Sequence, residues 1–366
     1  MTTRVLVVDD ASIFRRIVSE ALAGMPGVEV VGTASNGKLA LARLASLQPD
    51  VITLDIEMPE MNGIEVLEAM RNSALTASVI MLSSRTVRGG EMTIRALESG
   101  AFDFITKPEG GTPEENMVRL RDNLRPMIQV LERRREIRSI LNAKTPKAAP
   151  SAGSCSAVLT PVVNASRIRN RAGRPIVLIG VSTGGPTALA QVLPALPARL
   201  GAPVLIVQHM PPLFTEALAQ RLQTMSAMQV QEAQDGEIAL EDRAYLAPGG
   251  RQMKLISGQQ GEIVIRVTDD PPENACRPSV DYLFRSAALN FPGRSIAAIL
   301  TGMGNDGTDG MRMLKRAGGV NIAQDEASCV VFGMPKEAIL AGVVDTVAPL
   351  SKIADTIVRA IAENSV

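Results

Sequence analysis

Pro175-Ile-Val-Leu-Ile-Gly-Val-Ser-Thr-Gly-Gly-Pro186 reads as a strand, a tight turn and the start of a helix. The apolar run up to Ile179 suits a buried strand. Gly-x-Ser-x-Gly at its end permits a sharp strand-to-helix bend that lifts the Ser182 hydroxyl out of the fold among backbone N–H groups. Serine is a poor nucleophile at neutral pH unless a base takes its proton, and the usual base is imidazole. The chain of 366 residues contains one histidine, His209. Any imidazole that this chain supplies to Ser182 is therefore His209.

Outward from that turn, residues 174–362 alternate short apolar runs with helix-period segments. Ile176–Ile179, Val204–Val207, Ser295–Leu300, Val320–Ala323 and Val343–Val347 read as strands of a parallel core. Between 229 and 268 the pieces Ala244–Leu246, Gln252–Ile256 and Glu262–Val267, set off by Pro-Gly-Gly and Gly-Gln-Gln-Gly turns, read as antiparallel hairpins at an edge or flap. Ser182 follows the first core strand, His209 the second, and Asp306 in Thr301-Gly-Met-Gly-Asn-Asp-Gly307 follows the third. A parallel sheet gathers strand ends along one edge, so the three are expected together as nucleophile, base and orienter. Their order along the chain differs from those of the α/β-hydrolase, chymotrypsin and subtilisin folds. Taken singly, each has a plainer reading: a phosphate-binding turn, a core histidine, an Asn-Asp-Gly turn.

From Arg4 to Pro126 the same alternation recurs, with strand candidates Val5–Val8, Val28–Gly32, Val51–Leu54, Val79–Leu82 and Phe102–Ile105. Asp9 and Asp10 follow the first, Asp55 the third, Ser83 and Ser84 the fourth, and Lys107-Pro108 the fifth. Carboxyl ends of strands hold the ligand in such doubly wound sheets. Three carboxylates, a hydroxyl and an ammonium converging there suit a divalent cation and a phosphoryl group.

Composition bounds the rest. The length suits two domains. Lys plus Arg equals Asp plus Glu at 38 each, so no net field favours nucleic acid or an anionic membrane. Cys155, Cys276 and Cys329 lack metal-type spacing and the density of a secreted scaffold, which points to reduced thiols in the cytoplasm. No signal-peptide core or membrane-length apolar run is present, so membrane insertion is not expected. Residues 127–173 read as a linker: Leu131–Arg138 can extend a helix, and Ala143 to Gly173 is rich in Ala, Pro, Ser and basic residues.

Residues 4–126 resemble a two-component receiver domain in Asp9-Asp10, Asp55-Ile-Glu-Met-Pro-Glu-Met-Asn-Gly63, Ser83 and Lys107-Pro108. The resemblance implies a flavodoxin-like domain over 1–126. It makes Asp55 the phospho-acceptor and Ser83, Phe104 and Lys107 the switch residues. Mg²⁺ would then be held by Asp9, Asp10, Asp55 and the backbone carbonyl of Glu57. Residues 174–362 resemble the catalytic domain of chemotaxis protein-glutamate methylesterases. The motifs are Gly-Val-Ser-Thr-Gly-Gly-Pro186, Val-Gln-His-Met-Pro-Pro212, Arg277-Pro-Ser-Val-Asp-Tyr-Leu-Phe-Arg285 and Leu300-Thr-Gly-Met-Gly-Asn-Asp-Gly307. That resemblance implies a Rossmann-like three-layer α/β domain with an antiparallel edge. Its triad would be Ser182, His209 and Asp306, with oxyanion donors at the N–H groups of Thr183 and Met303 and no cofactor for hydrolysis. It further implies a monomeric cytoplasmic enzyme that takes phosphate from a histidine kinase and demethylates or deamidates the cytoplasmic helices of chemoreceptors. Two other functions stay open on the residues alone: a receiver-controlled esterase with another protein or small-molecule ester as substrate, and a non-enzymatic receiver-output protein.

Overall fold

The computed structural model of the chain describes residues 2–73, 75–143 and 173–364, and of 137–143 and 364 the backbone only. Most of the expected linker, with Lys144, Lys147, Arg167, Arg169 and Arg171, lies outside the described residues, as does Cys155. By contacts, the described residues fall into two units, 2–83 with 99–143, and 84–98 with 173–364.

The N-terminal sheet joins β1 (Thr3–Val8), β2 (Val28–Ala34), β3 (Val51–Asp55), β4 (Ser78–Ser83) and β5 (Asp103–Thr106) in the order β2-β1-β3-β4-β5. Every neighbouring pair is parallel. Val5–Val8 are fully buried, as a strand covered by helices on both faces must be. Between the strands run α1 (Ser12–Ala23), α2 (Gly37–Leu47), α3 (Gly63–Arg71) and α4 (Val87–Glu98), and α5 (Pro113–Ala143) follows β5. The Asn62–Glu65 capping box starts α3 and so ends the loop that leaves Asp55. Helix α5 continues through Pro126, so residues 127–143 are helical.

The second sheet contains β6 (Ile176–Val181), β7 (Val204–Gln208), β8 (Gln229–Glu232) and β9 (Arg243–Leu246). A separate pair, β10 (Gln252–Ser257) and β11 (Ile263–Thr268), is antiparallel. The main sheet is completed by β12 (Ser295–Ile299), β13 (Val320–Gln324) and β14 (Thr346–Ala348), in the order β14-β13-β12-β6-β7-β9-β8, parallel throughout. Its helices are α6 (Gly185–Ala195), α7 (Phe214–Met225), α8 (Val280–Asn290), α9 (Thr308–Arg316), α10 (Met334–Leu340) and α11 (Leu350–Asn364).

Four expectations change. Ala244–Leu246 is not part of a hairpin flap: it is β9, parallel to both β7 and β8, and it is buried as an interior strand must be. The antiparallel piece is a sheet of its own, not an edge of the main sheet. Val343–Val347 shortens to Thr346–Ala348, because Val343 packs into the core as the chain leaves α10. β6 also runs two residues further than Ile179, since Gly180 and Val181 pair with Val207 and Gln208.

From β6 the chain moves to β7 on one side and returns to β12 on the other. The strand order reverses between β6 and β12, the position at which open parallel sheets leave a crevice beyond their carboxyl ends. Ser182 follows β6 there, and the 301–307 loop follows β12.

Candidate active site

Ser182 is the first residue beyond β6, half-buried. Its N–H donates to Thr301 O at 3.0 Å, and its carbonyl accepts from Gly185 N at 2.8 Å and Gln208 Nε2 at 2.9 Å. Gly184 closes the turn with φ +77, and a Cβ there would meet the Val330 side chain at 2.5 Å, so only glycine fits. The loop after β12 passes directly beside the serine: a Cβ on Gly302 would stand 2.7 Å from Ser182 Cβ. Among the described residues the N–H groups of Thr183 and Met303 donate no hydrogen bond, although Thr183 is buried.

His209 follows β7, and its N–H donates to Val181 O at 3.2 Å, which ties it to the strand that carries Ser182. Gln208 clamps the two turns together, its Nε2 donating to Ser182 O and, at 3.2 Å, to His209 O. The imidazole Nε2 lies 2.8 Å from Asp306 Oδ2, and Nδ1 lies 3.7 Å from Cys276 Sγ. The structure therefore joins His209 to Asp306. It does not join Ser182 to His209: Ser182 Oγ makes no hydrogen bond among the described residues.

Asp306 is buried and accepts five hydrogen bonds. Oδ2 takes His209 Nε2 and Val280 N (2.7 Å), and Oδ1 takes Asn274 Nδ2 (2.9 Å), Ser279 Oγ (2.9 Å) and Asp281 N (3.0 Å). Val280 and Asp281 open α8, so the carboxylate sits at the positive end of that helix. Burial works to raise its pKa, but these donors and the imidazole hold it below the ordinary carboxylate range. Burial likewise pushes the imidazole down, yet its bonds to Asp306 and Cys276 outweigh that and lift it from 6.5 to about 9. Asp281, buried and beside Asp306, is pushed up to about 6 while accepting Gly310 N at 2.6 Å.

Four contributors escaped the sequence reading: Gln208, Asn274, Cys276 and Ser279. The signal for Ser279 was the Arg277–Arg285 motif, whose Ser-Val-Asp turn caps α8 and holds Asp306. Asn274 and Cys276 lie in a loop whose backbone turns left-handed at Asn274 and Ala275 (φ +53 and +59), a path without a periodic signature.

In the N-terminal sheet Asp9, Asp10 and Asp55 bring carboxylate oxygens within 4.8 Å of one another. Lys107 Nζ bridges Asp9 Oδ2 and Asp55 Oδ2 at 2.7 Å each. Burial, then the neighbouring Asp9 and Asp10, push Asp55 up to about 6 despite Lys107. Lys107 N donates to the carbonyl of Ser83, the last residue of β4. Ser83 and Phe104, the latter in β5, are both buried, and Glu57 lies in the loop after β3.

The family described as CheB methylesterase matches residues 177–357, and the response regulator receiver domain matches residues 5–119. A protein-glutamate methylesterase/protein-glutamine glutaminase of Desulfotalea psychrophila is 48% identical over 98% of both chains. One of the same name from Bacillus subtilis is 42% identical over 99% of both. The crystal structure of the Thermotoga maritima CheB methylesterase catalytic domain covers 51% of this chain and 99% of its own, at 43% identity and a TM-score of 0.50. With both matches in this order and relatives aligned end to end, the chain belongs to the CheB family, in which a receiver domain precedes a methylesterase domain.

Proposed function

We propose that this chain hydrolyses glutamate γ-methyl esters, and deamidates glutamines, on the cytoplasmic helices of chemoreceptors, with Ser182 as nucleophile, His209 as base and Asp306 as its orienter. The observation that carries the reading is the Asp306–His209 pair at the β6/β12 switch point, beside a serine flanked by two unengaged amides. Because Nε2 is held by Asp306, Nδ1 is the nitrogen that takes the Ser182 proton as Oγ attacks the ester carbonyl. That contact forms with substrate bound, when active-site hydrogen bonds tighten. The tetrahedral O⁻ lies against the Thr183 and Met303 N–H groups, each worth about 3 kcal/mol. Collapse expels methanol, or ammonia from glutamine, with the proton returned by Nδ1. Water activated by the same nitrogen then frees the carboxylate and restores Ser182.

The receiver supplies control. Asp55 is the proposed phospho-acceptor for a histidine kinase, with Lys107 and Ser83 as ligands of the phosphoryl oxygens and Phe104 as the switch aromatic. Three crowded carboxylates faced by one ammonium leave an excess of negative oxygen, which fits a hard divalent cation. Asp9, Asp10, Asp55 and the Glu57 carbonyl would hold Mg²⁺, which neutralises charge during phosphoryl transfer. Among the described residues no helix is long and apolar enough to cross a membrane. We place the reaction in the cytoplasm because the proposed substrate helices are there.

The test is methanol release from a methyl-labelled receptor fragment, with and without acetyl phosphate and Mg²⁺. Release that requires Ser182 and rises on phosphorylation is expected. Turnover of small esters with none from the receptor fragment would favour a small-ester hydrolase.

A further inference from the structure

We propose that His209 Nδ1 and Cys276 Sγ form a binding site for a borderline divalent transition ion such as Zn²⁺, and that occupancy switches the hydrolase off. The two atoms are 3.7 Å apart. Zinc bonds to imidazole nitrogen at about 2.1 Å and to thiolate sulfur at about 2.3 Å, so two ligands at a tetrahedral angle stand about 3.6 Å apart. The pair is already spaced as ligands. In the neutral ring Nδ1 is also pre-aimed: the Nε2–H bond to Asp306 fixes the tautomer and leaves the Nδ1 lone pair facing the sulfur, the carboxylate–histidine arrangement that supports metal-bound imidazole. In the protonated ring the metal must displace the Nδ1 proton to bind. Asp306 cannot swing in as a competing ligand, since four other donors hold its oxygens.

The donor types set the selectivity. Sulfur and imidazole prefer Zn²⁺ over Mg²⁺ or Ca²⁺, whereas the all-oxygen cluster of Asp9, Asp10 and Asp55 prefers the hard ions. One chain thus offers two sites of opposite preference. Both Cys276 and His209 are partly exposed, so solvent can fill the remaining coordination positions. A metal on Nδ1 removes the lone pair that receives the serine proton. The inhibition rests on His209 being the base; the binding does not.

The experiment uses the full chain with Mg²⁺ in excess. Co²⁺ is titrated in while the thiolate-to-cobalt charge-transfer absorption is followed, and Zn²⁺ is titrated against methanol release, each variant normalised to its own metal-free rate. Expected are a band that Zn²⁺ displaces, more than tenfold zinc inhibition, and at least a tenfold higher zinc requirement in Cys276→Ala, which also loses the band. Cys276→Ser serves if the alanine variant misfolds, and Cys155→Ala/Cys329→Ala should keep the band. No band in the wild type, or a band that survives in Cys276→Ala, overturns the site. A Cys276-dependent band with turnover untouched by zinc overturns the inhibition and counts against His209 as the base.

Discussion

At neutral pH an imidazole raised to about 9 is protonated in all but about 1% of free molecules, and only the neutral form can take the proton of Ser182. Accordingly kcat/KM should climb about tenfold per pH unit from neutrality and level off near 9, well above the 6.5 expected of a histidine in mild surroundings. A limb near 6.5 in the wild type, or one that persists in His209→Gln, would place the base elsewhere. The same shift has an opposite sign for stability. A folded pKa above the unfolded one means that the imidazolium–Asp306 contribution is complete below about 6.5 and is lost as pH rises through about 9. Ser182→Ala should lower turnover by at least about a thousandfold with an unchanged circular dichroism spectrum; a loss within tenfold would refute the assignment. These three residues were legible because each stands in its own motif at a strand end. Cys276 and Asn274 were not, because nothing local marks where a loop with left-handed backbone will deliver its side chains.

Helix α8 is the element that fixes the Asp306 carboxylate, the proposed orienter. Its cap Ser279 serves two masters, accepting from Tyr282 N and donating to Asp306 Oδ1. Ser279→Ala therefore removes a cap and leaves a buried carboxylate one donor short, a destabilisation of about 1–3 kcal/mol. Urea unfolding should show it, and kcat should fall more than KM rises, because the loss is one of orientation; an unchanged midpoint and rate would remove α8 from the account. The core strands of both sheets were legible as buried apolar runs, whereas β8, polar at three of its four positions and largely outside the core, was missed. What failed was pairing sense in short strands: four residues of β9 cannot announce whether a neighbour runs parallel. The β10–β11 pair could be read because its Gly-Gln-Gln-Gly connection allows a hairpin.

Across the whole molecule, the receiver's acidic cluster sets a second pH dependence. In the metal-free chain Asp55 is raised to about 6, so its carboxylate should titrate near that pH in a ¹³C experiment, and Mg²⁺ should pull the value down if Asp55 ligates it. A metal-free midpoint at the ordinary carboxylate value would show that Asp55 is not so perturbed. In the full chain Asp55→Asn should abolish stimulation by acetyl phosphate and leave the basal rate, whereas removal of residues 1 to about 140 should raise that rate if the receiver restrains the hydrolase. A truncated chain no faster than the unphosphorylated one would mean that phosphorylation builds activity instead. The division into two α/β parts was legible from two rounds of alternation; the continuation of α5 to Ala143 was visible only as a short stretch after Leu131.

Because His209 is the chain's sole imidazole, the molecule carries an intrinsic spectroscopic label at its proposed reacting centre. Its ring gives one Cε1–H resonance and one pair of ring ¹⁵N shifts, free of overlap and assignable without mutagenesis. The nitrogen pair reports which atom bears hydrogen, and the position of the Cε1–H line reports protonation. The same line, watched while phosphate is added to the other domain, would reveal whether the signal reaches His209 itself or stops short of it.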